Sequence, residues 1–151
     1  MFCKTPFSPT MPTVRGRTMI DEEGWLHTGD LGLIDRNNYI FIRGRSKNML
    51  LGPSGQNIYP EEIEARLSNQ SYVLECVVIG RDDKLVALVF PDREAMLAYH
   101  VSDDQLQRIM EENRLATNRD LPKYSQIARV ELFDQEFEKT PKRNIKRYLY
   151  T

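Results

Sequence analysis

Two cysteines, two histidines and no long apolar run exclude several classes at the outset. Cys3 and Cys76 lie far apart and suggest no disulfide framework; two unpaired thiols in a reducing cytoplasm are expected. His27 and His100 have no partner at metal-ligand spacing, so no zinc site is expected. No uninterrupted apolar stretch approaches the roughly 20 residues a membrane-spanning helix needs. Met1-Phe2-Cys3-Lys4 is too short, and too soon interrupted by proline, to be a secretion signal. An excess of charge of one sign is also missing: 21 basic and 22 acidic residues leave a net charge of -1. That balance offers no global attraction to nucleic acid or to an anionic membrane. No Gly-x-Ser-x-Gly surrounds a serine, so a hydrolase triad has no support. There is no internal repeat and no low-complexity tract.

What is present suits one ordinary domain with its own core, soluble and globular by composition. Residues 1–20, with Pro6, Pro9 and Pro12, read as an irregular lead-in. Leu31–Asp35 and Tyr39–Arg43 flank Arg36-Asn37-Asn38 as a hairpin, since asparagine tolerates the positive φ of a tight turn. Asn48–Leu51 is a short strand ended by Gly52-Pro53. A helix begins at Pro60, with Ile63 and Leu67 as its buried stripe. Glu61, Glu62 and Glu64 read as its solvated start. Val73–Gly80 and Lys84–Phe90 form a second hairpin. Asp92–His100 is a short helix. Ser102 caps a longer one, with Leu106, Ile109, Met110 and Leu115 on one face. Ile127–Phe133 is a strand, and Ile145–Tyr150 a final helical turn or two. The order, a hairpin followed by βαββααβ and a basic tail, gives an α+β fold.

Five motifs stand in a fixed order: Gly24-Trp25-Leu26-His27-Thr28-Gly29-Asp30-Leu31-Gly32, then Gly44-Arg45-Ser46-Lys47, then the loop Gly52-Pro53-Ser54-Gly55-Gln56-Asn57, then Ile58-Tyr59-Pro60-Glu61-Glu62-Ile63-Glu64, and finally Thr140-Pro141-Lys142-Arg143-Asn144-Ile145-Lys146-Arg147. Asp30 beside a glycine can approach a sugar and accept hydrogen bonds from two vicinal hydroxyls. Arg45 at a strand end can reach a ribose or a phosphate with its forked donors. The loop is flexible and rich in backbone donors, yet no Gly-Lys-Ser/Thr follows, so it is not a Walker-type phosphate loop.

Together these motifs, over roughly residues 19–150, resemble the C-terminal portion of the adenylate-forming (AMP-binding) superfamily. The acyl-CoA synthetases are the nearest in pattern, above all the long-chain fatty acid ligases of bacteria. The resemblance implies a lead-in (1–20), a nucleotide-facing segment and hairpin (21–46), and a mobile lid (47–151) whose mixed or antiparallel sheet is flanked by helices. It assigns Asp30 and Arg45 to nucleotide contact and Lys47 to a hinge that swings the lid between two active poses. It makes Ser54, Gly55 and Asn57 part of the channel for coenzyme A. Family members usually end in a pattern like Thr-Pro-x-Gly-Lys-Ile-x-Arg, whose lysine neutralises charge during adenylation. Here Arg143 replaces the glycine and Asn144 the lysine. An amide carries no charge, so Lys142 or Lys146 takes over, or adenylation is impaired. Lys142 shares a side with residue 144 if the segment is extended; Lys146 is favoured if it bends. The alternative for the whole tail is a basic, solvated C-terminus.

The implied reaction joins a fatty acid to coenzyme A through an acyl-adenylate, with Mg-ATP as substrate and AMP and pyrophosphate released. It needs a large N-terminal adenylation domain, so this piece alone is expected to be inert, with no cofactor bound and no metal. A cytoplasmic or membrane-peripheral location follows. Two alternatives stay open: transfer to a carrier protein instead of coenzyme A, and a non-enzymatic module using its basic tail on RNA. The neutral charge balance and the lack of a strand-borne aromatic stacking motif weigh against RNA.

Overall fold

The structure is a computed structural model, in which residues 2–4 and 20–150 are described. The chain divides into two compact units, Met1–Asn48 and Met49–Thr151.

In the first unit, β1 (Phe2–Lys4) pairs antiparallel with β2 (Trp25–His27). Part of the expected irregular lead-in is therefore a strand, and Met1 and residues 5–19 lie outside the described residues. The expected hairpin is β3 (Asp30–Ile34) against β4 (Ile40–Arg45). Its turn is held by Asp35, whose Oδ1 accepts from the amides of Asn37 (2.8 Å) and Tyr39 (2.9 Å). Asn38 takes a left-handed φ of 64°, which asparagine adopts at little cost. Ile40, Phe41 and Ile42 alternate as a two-faced strand would, but all three are exposed.

In the second unit, β5 (Leu50–Leu51) and β6 (Asn57–Ile58) bracket the glycine loop. Helix α1 (Pro60–Leu67) starts with proline in its first turn and Glu61 and Glu62 beside it, where acids favour the positive helix pole. The main sheet has the order β7 (Val73–Arg81), β8 (Lys84–Pro91), β9 (Ile127–Leu132). The pair β7–β8 is antiparallel and β8–β9 parallel. The tight turn of β7–β8 puts Asp82 and Asp83 at φ 51° and 58°, the backbone shape a two-residue hairpin demands. The parallel pair needs a long crossover, supplied by α2 (Arg93–Ala98) and α3 (Asp103–Arg119). Ser102 caps α3 through a reciprocal capping box with Gln105. The result is the expected α+β fold, a mixed sheet flanked by helices.

Both faces of the sheet are covered, because alternate residues of β7 and β8 are apolar on each side. One face buries Cys76, Val78, Leu85, Ala87 and Val89 under Ile63 and Leu67 of α1 and Leu106 and Met110 of α3. Leu115, expected on that α3 face, is 49% exposed; Asn113 and Thr117 continue the stripe instead. The steps from Leu106 to Met110, Asn113 and Thr117 follow the helical repeat, and Leu115 falls off it. Asn113 is tolerated because its Nδ2 donates to the Ser71 carbonyl at 2.8 Å.

The other face buries Val77, Ile79, Val86 and Leu88 under Phe137, with Phe133, Ile145 and Tyr150 packed around it. Phe133 and Phe137 stack with centroids 5.1 Å apart, and Tyr150 meets Phe137 edge-on at 5.0 Å. The C-terminal tail is thus a covering layer and not a solvated appendage.

Candidate functional site

The first unit brings Asp30 and Arg45 together. They are direct cross-strand partners at the open end of the β3–β4 hairpin. The Arg45 guanidinium bonds the Asp30 carboxylate and also donates to the Thr28 carbonyl at 3.2 Å. Gly29, at φ 75°, lets the chain turn sharply before Asp30. The Asp30 amide donates to Thr28 Oγ1 at 3.2 Å, and the Ser46 amide to the Gly29 carbonyl at 2.9 Å. The hydrogen bond from Arg45 holds the Asp30 carboxyl below the usual carboxylate range. Both side chains remain partly open to solvent. A carboxylate and a guanidinium side by side can accept from one hydroxyl of a vicinal pair and donate to the other. His27 belongs to the loop scaffold: its Nε2 lies 3.0 Å from Asp21 Oδ2, and Asp21 Oδ1 accepts from the amide of Trp25 at 2.8 Å. Lys47 is exposed on a 3₁₀ turn, Ser46–Asn48, and the first unit ends at Asn48.

In the second unit the glycine loop closes on itself. The Gly52 amide donates to the Gln56 carbonyl at 2.8 Å and the Gly55 amide to the Gly52 carbonyl at 2.9 Å. The loop expected to be flexible is therefore a hydrogen-bonded turn. It presents Ser54, Gly55 and Asn57 to solvent. An open groove of about 490 Å³ adjoins it, lined by Leu51, Gly52, Pro53, Lys84 and Tyr124 among others. Ser54, Gly55 and Asn57 do not line that groove.

The tail segment bends. The Arg143 amide donates to the Thr140 carbonyl and the Thr140 amide to the Asn144 carbonyl, each at 2.8 Å. Pro141 suits the first corner of such a turn. Arg143 sits at φ 61°, the left-handed position that favours glycine. Glycine would take that backbone shape without strain, and the arginine keeps the turn at some cost. Lys142 lies exposed at the tip. On the return arm Ile145 turns into the second core cluster, leaving Asn144 and Lys146 on the opposite side. Lys146 Nζ lies 3.0 Å from Glu138 Oε2, a contact that raises its pKa.

Two members of the basic cluster are structural. Lys139 bonds Glu75 of β7. Arg147 grips Glu64 of α1 with both guanidinium nitrogens, at 2.6 and 2.7 Å, and donates to the Val78 carbonyl at 2.9 Å. Glu64 Oε1 in turn accepts from the Val78 amide at 2.6 Å. The Glu64 and Arg147 side chains are only 14% and 16% exposed, so Glu64 is no part of a solvated helix start. A signal was present: Pro60, Ile63, Glu64 and Leu67 follow the spacing of one helix face. Nothing in the sequence named its partner 83 residues away. Burial works against the Arg147 charge, but the bonds and charge of Glu64 outweigh it, and the pKa of Arg147 rises.

Among the described residues no group of three His, Cys, Asp or Glu is placed to hold a metal ion, and no helix is long and apolar enough to cross a membrane. The family described as AMP-binding enzyme C-terminal domain matches residues 48–150. The chain belongs to the AMP-binding enzyme C-terminal domain family. Over 74 residues it is 43% identical to the fatty acid–[acyl-carrier-protein] ligase ScoC of Streptomyces coeruleorubidus, a match covering 49% of this chain and 14% of that protein. It is 35% identical over 95 residues to the 2-succinylbenzoate–CoA ligase of Bacillus cytotoxicus, covering 63% of this chain and 19% of the relative. The structure of the O-succinylbenzoate coenzyme A synthetase of Bacillus subtilis, solved with AMP, superposes with a TM-score of 0.63 and 25% identity, covering 86% of this chain and 24% of that one. The chain therefore spans less than a quarter of each of these proteins. Their names give different acids and more than one kind of acceptor, so the likeness reaches the family and not one acyl substrate.

Proposed function

We propose that this chain is the C-terminal lid of an ATP-dependent acid–thiol ligase and that it acts with a large adenylation domain of the same enzyme. The observation that carries this reading is the Asp30–Arg45 pair, a ready acceptor and donor set for the ribose hydroxyls of ATP. A fatty acid and Mg-ATP give an acyl-adenylate and pyrophosphate. The lid then turns about Lys47, and coenzyme A attacks the adenylate carbonyl, forming the thioester and expelling AMP. In the first pose the tail turn supplies positive charge from Lys142 or Lys146, in place of the lysine that Asn144 lacks. In the second pose Ser54, Gly55 and Asn57 face the thiol arm. Alone, the chain is inert, because one wall does not make a pocket.

A second reading, transfer to a carrier protein, is favoured by the likeness to a ligase named for that acceptor. The test is a full-length enzyme assayed by half-reaction. Asp30→Ala should raise KM for ATP at least roughly tenfold, and Lys142→Ala and Lys146→Ala should slow adenylate formation unequally. Unchanged ATP kinetics in Asp30→Ala would defeat the ribose assignment. Presenting free coenzyme A or a carrier protein to the wild type separates the two acceptors.

A further inference from the structure

Strand β7 is an edge of the three-stranded sheet, since the strand order is β7-β8-β9. At Val78 its outer edge is closed by a side-chain pair standing where a fourth strand would. The Val78 amide donates to Glu64 Oε1, and the Val78 carbonyl accepts from Arg147. The same two side chains bond each other bidentately. One residue each from α1, β7 and the tail therefore meet in a single, nearly buried knot. Such a fork–fork pair fixes angle as well as distance.

The tail enters this knot directly after its turn. Lys139, on the outgoing arm, is tied to Glu75 of β7. The arms bridge each other at Lys139 and Ile145, and the Lys146 amide donates to the Glu138 carbonyl at 2.8 Å. Arg147 follows at once. Between the Lys139 and Arg147 anchors stand Thr140–Asn144, with their exposed cationic tip. Aromatic packing at Phe137 and Tyr150 holds the tail on the sheet. Apolar contacts do not fix its register, whereas a bidentate ion pair does.

We propose that Glu64 and Arg147 are positioning residues, a clasp that sets where the Thr140–Asn144 turn and its flanking lysines stand against α1 and β7. The role of that turn in charge neutralisation rests on the function proposed above; the clasp itself does not.

Hydrogen exchange on this chain, read by peptide mass spectrometry, tests it. Glu64→Gln keeps shape and an acceptor for Val78 but removes the charge. Arg147→Lys keeps charge but loses the fork. Both should speed exchange at the amides of Thr140, Arg143 and Lys146 by roughly tenfold or more, while peptides from β8 keep their protection. Turn amides that exchange as in the wild type in both variants would overturn the clasp. So would loosening of β8 by the same factor, the mark of a general stabiliser. In the full-length enzyme the same variants should lower kcat for adenylate formation by roughly tenfold with KM for ATP little changed. Transfer from preformed acyl-adenylate should be spared. A freed turn with both half-reactions intact would support the clasp and overturn the role given to the turn.

Discussion

Asp30 and Arg45 stand 15 residues apart in sequence and bond directly in the structure. The hairpin was legible from its Asn37-Asn38 turn, but the pairing was not: a register shift between Leu31 and Gly32 brings Asp30 opposite Arg45, where the turn register alone would set it opposite Gly44. Glu64 was misread because a helix-start acid looks solvated unless the partner that buries it is known. Cys76 shows how far burial governs chemistry at this scale. Its thiol is enclosed between α1 and the sheet, 3.4 Å from Ser68 Oγ, and burial pushes its pKa up to about 11. At pH 8 its thiolate fraction is then about two orders of magnitude below that of an exposed cysteine with pKa ~8.5. We expect peptide-resolved alkylation at pH 8 to leave Cys76 unlabelled in the folded chain and to label it promptly in urea. Prompt labelling of native protein would contradict the enclosed thiol.

Among elements, the strands and helices were readable wherever apolar period and end signals agreed. Ser102 ahead of the apolar spacing Leu106, Ile109, Met110 announces α3, and Asp82-Asp83 between two β-rich runs announces the β7–β8 turn. The tail turn was less readable. Its left-handed corner is occupied by Arg143, a residue that gives no turn signal, and the glycine that would have shown the bend is missing. The left-handed backbone costs an ordinary residue about 1–2 kcal/mol, part of which glycine returns through its looser unfolded chain. Arg143→Gly should therefore stabilise the chain by roughly 0.5–1 kcal/mol in urea unfolding, with the turn unchanged. A loss of stability would mean that the Arg143 side chain makes a compensating contact.

For the whole molecule, the second unit is a three-layer arrangement: helices, sheet and an aromatic tail. Its outer layer centres on Phe137, only 2% exposed between Phe133 and Tyr150. The Tyr150 hydroxyl also accepts from the Glu138 amide at 2.7 Å. Phe137→Ala should cost about 3–5 kcal/mol, as a buried ring leaves a cavity that β7 and β8 cannot close. A denaturant midpoint close to the wild type would show that the tail does not cover the sheet in solution. The sequence by itself determined the two hairpin turns, the helices, the strands of the main sheet and the motif set that marks the family. These depend on neighbours a few residues apart, through φ preference and apolar period. Only the tertiary structure decided that β9 joins β8 in parallel, that the basic tail roofs the second face, and that Arg147 closes on Glu64. Those outcomes depend on which distant surfaces bury each other, and no local rule of spacing contains that choice.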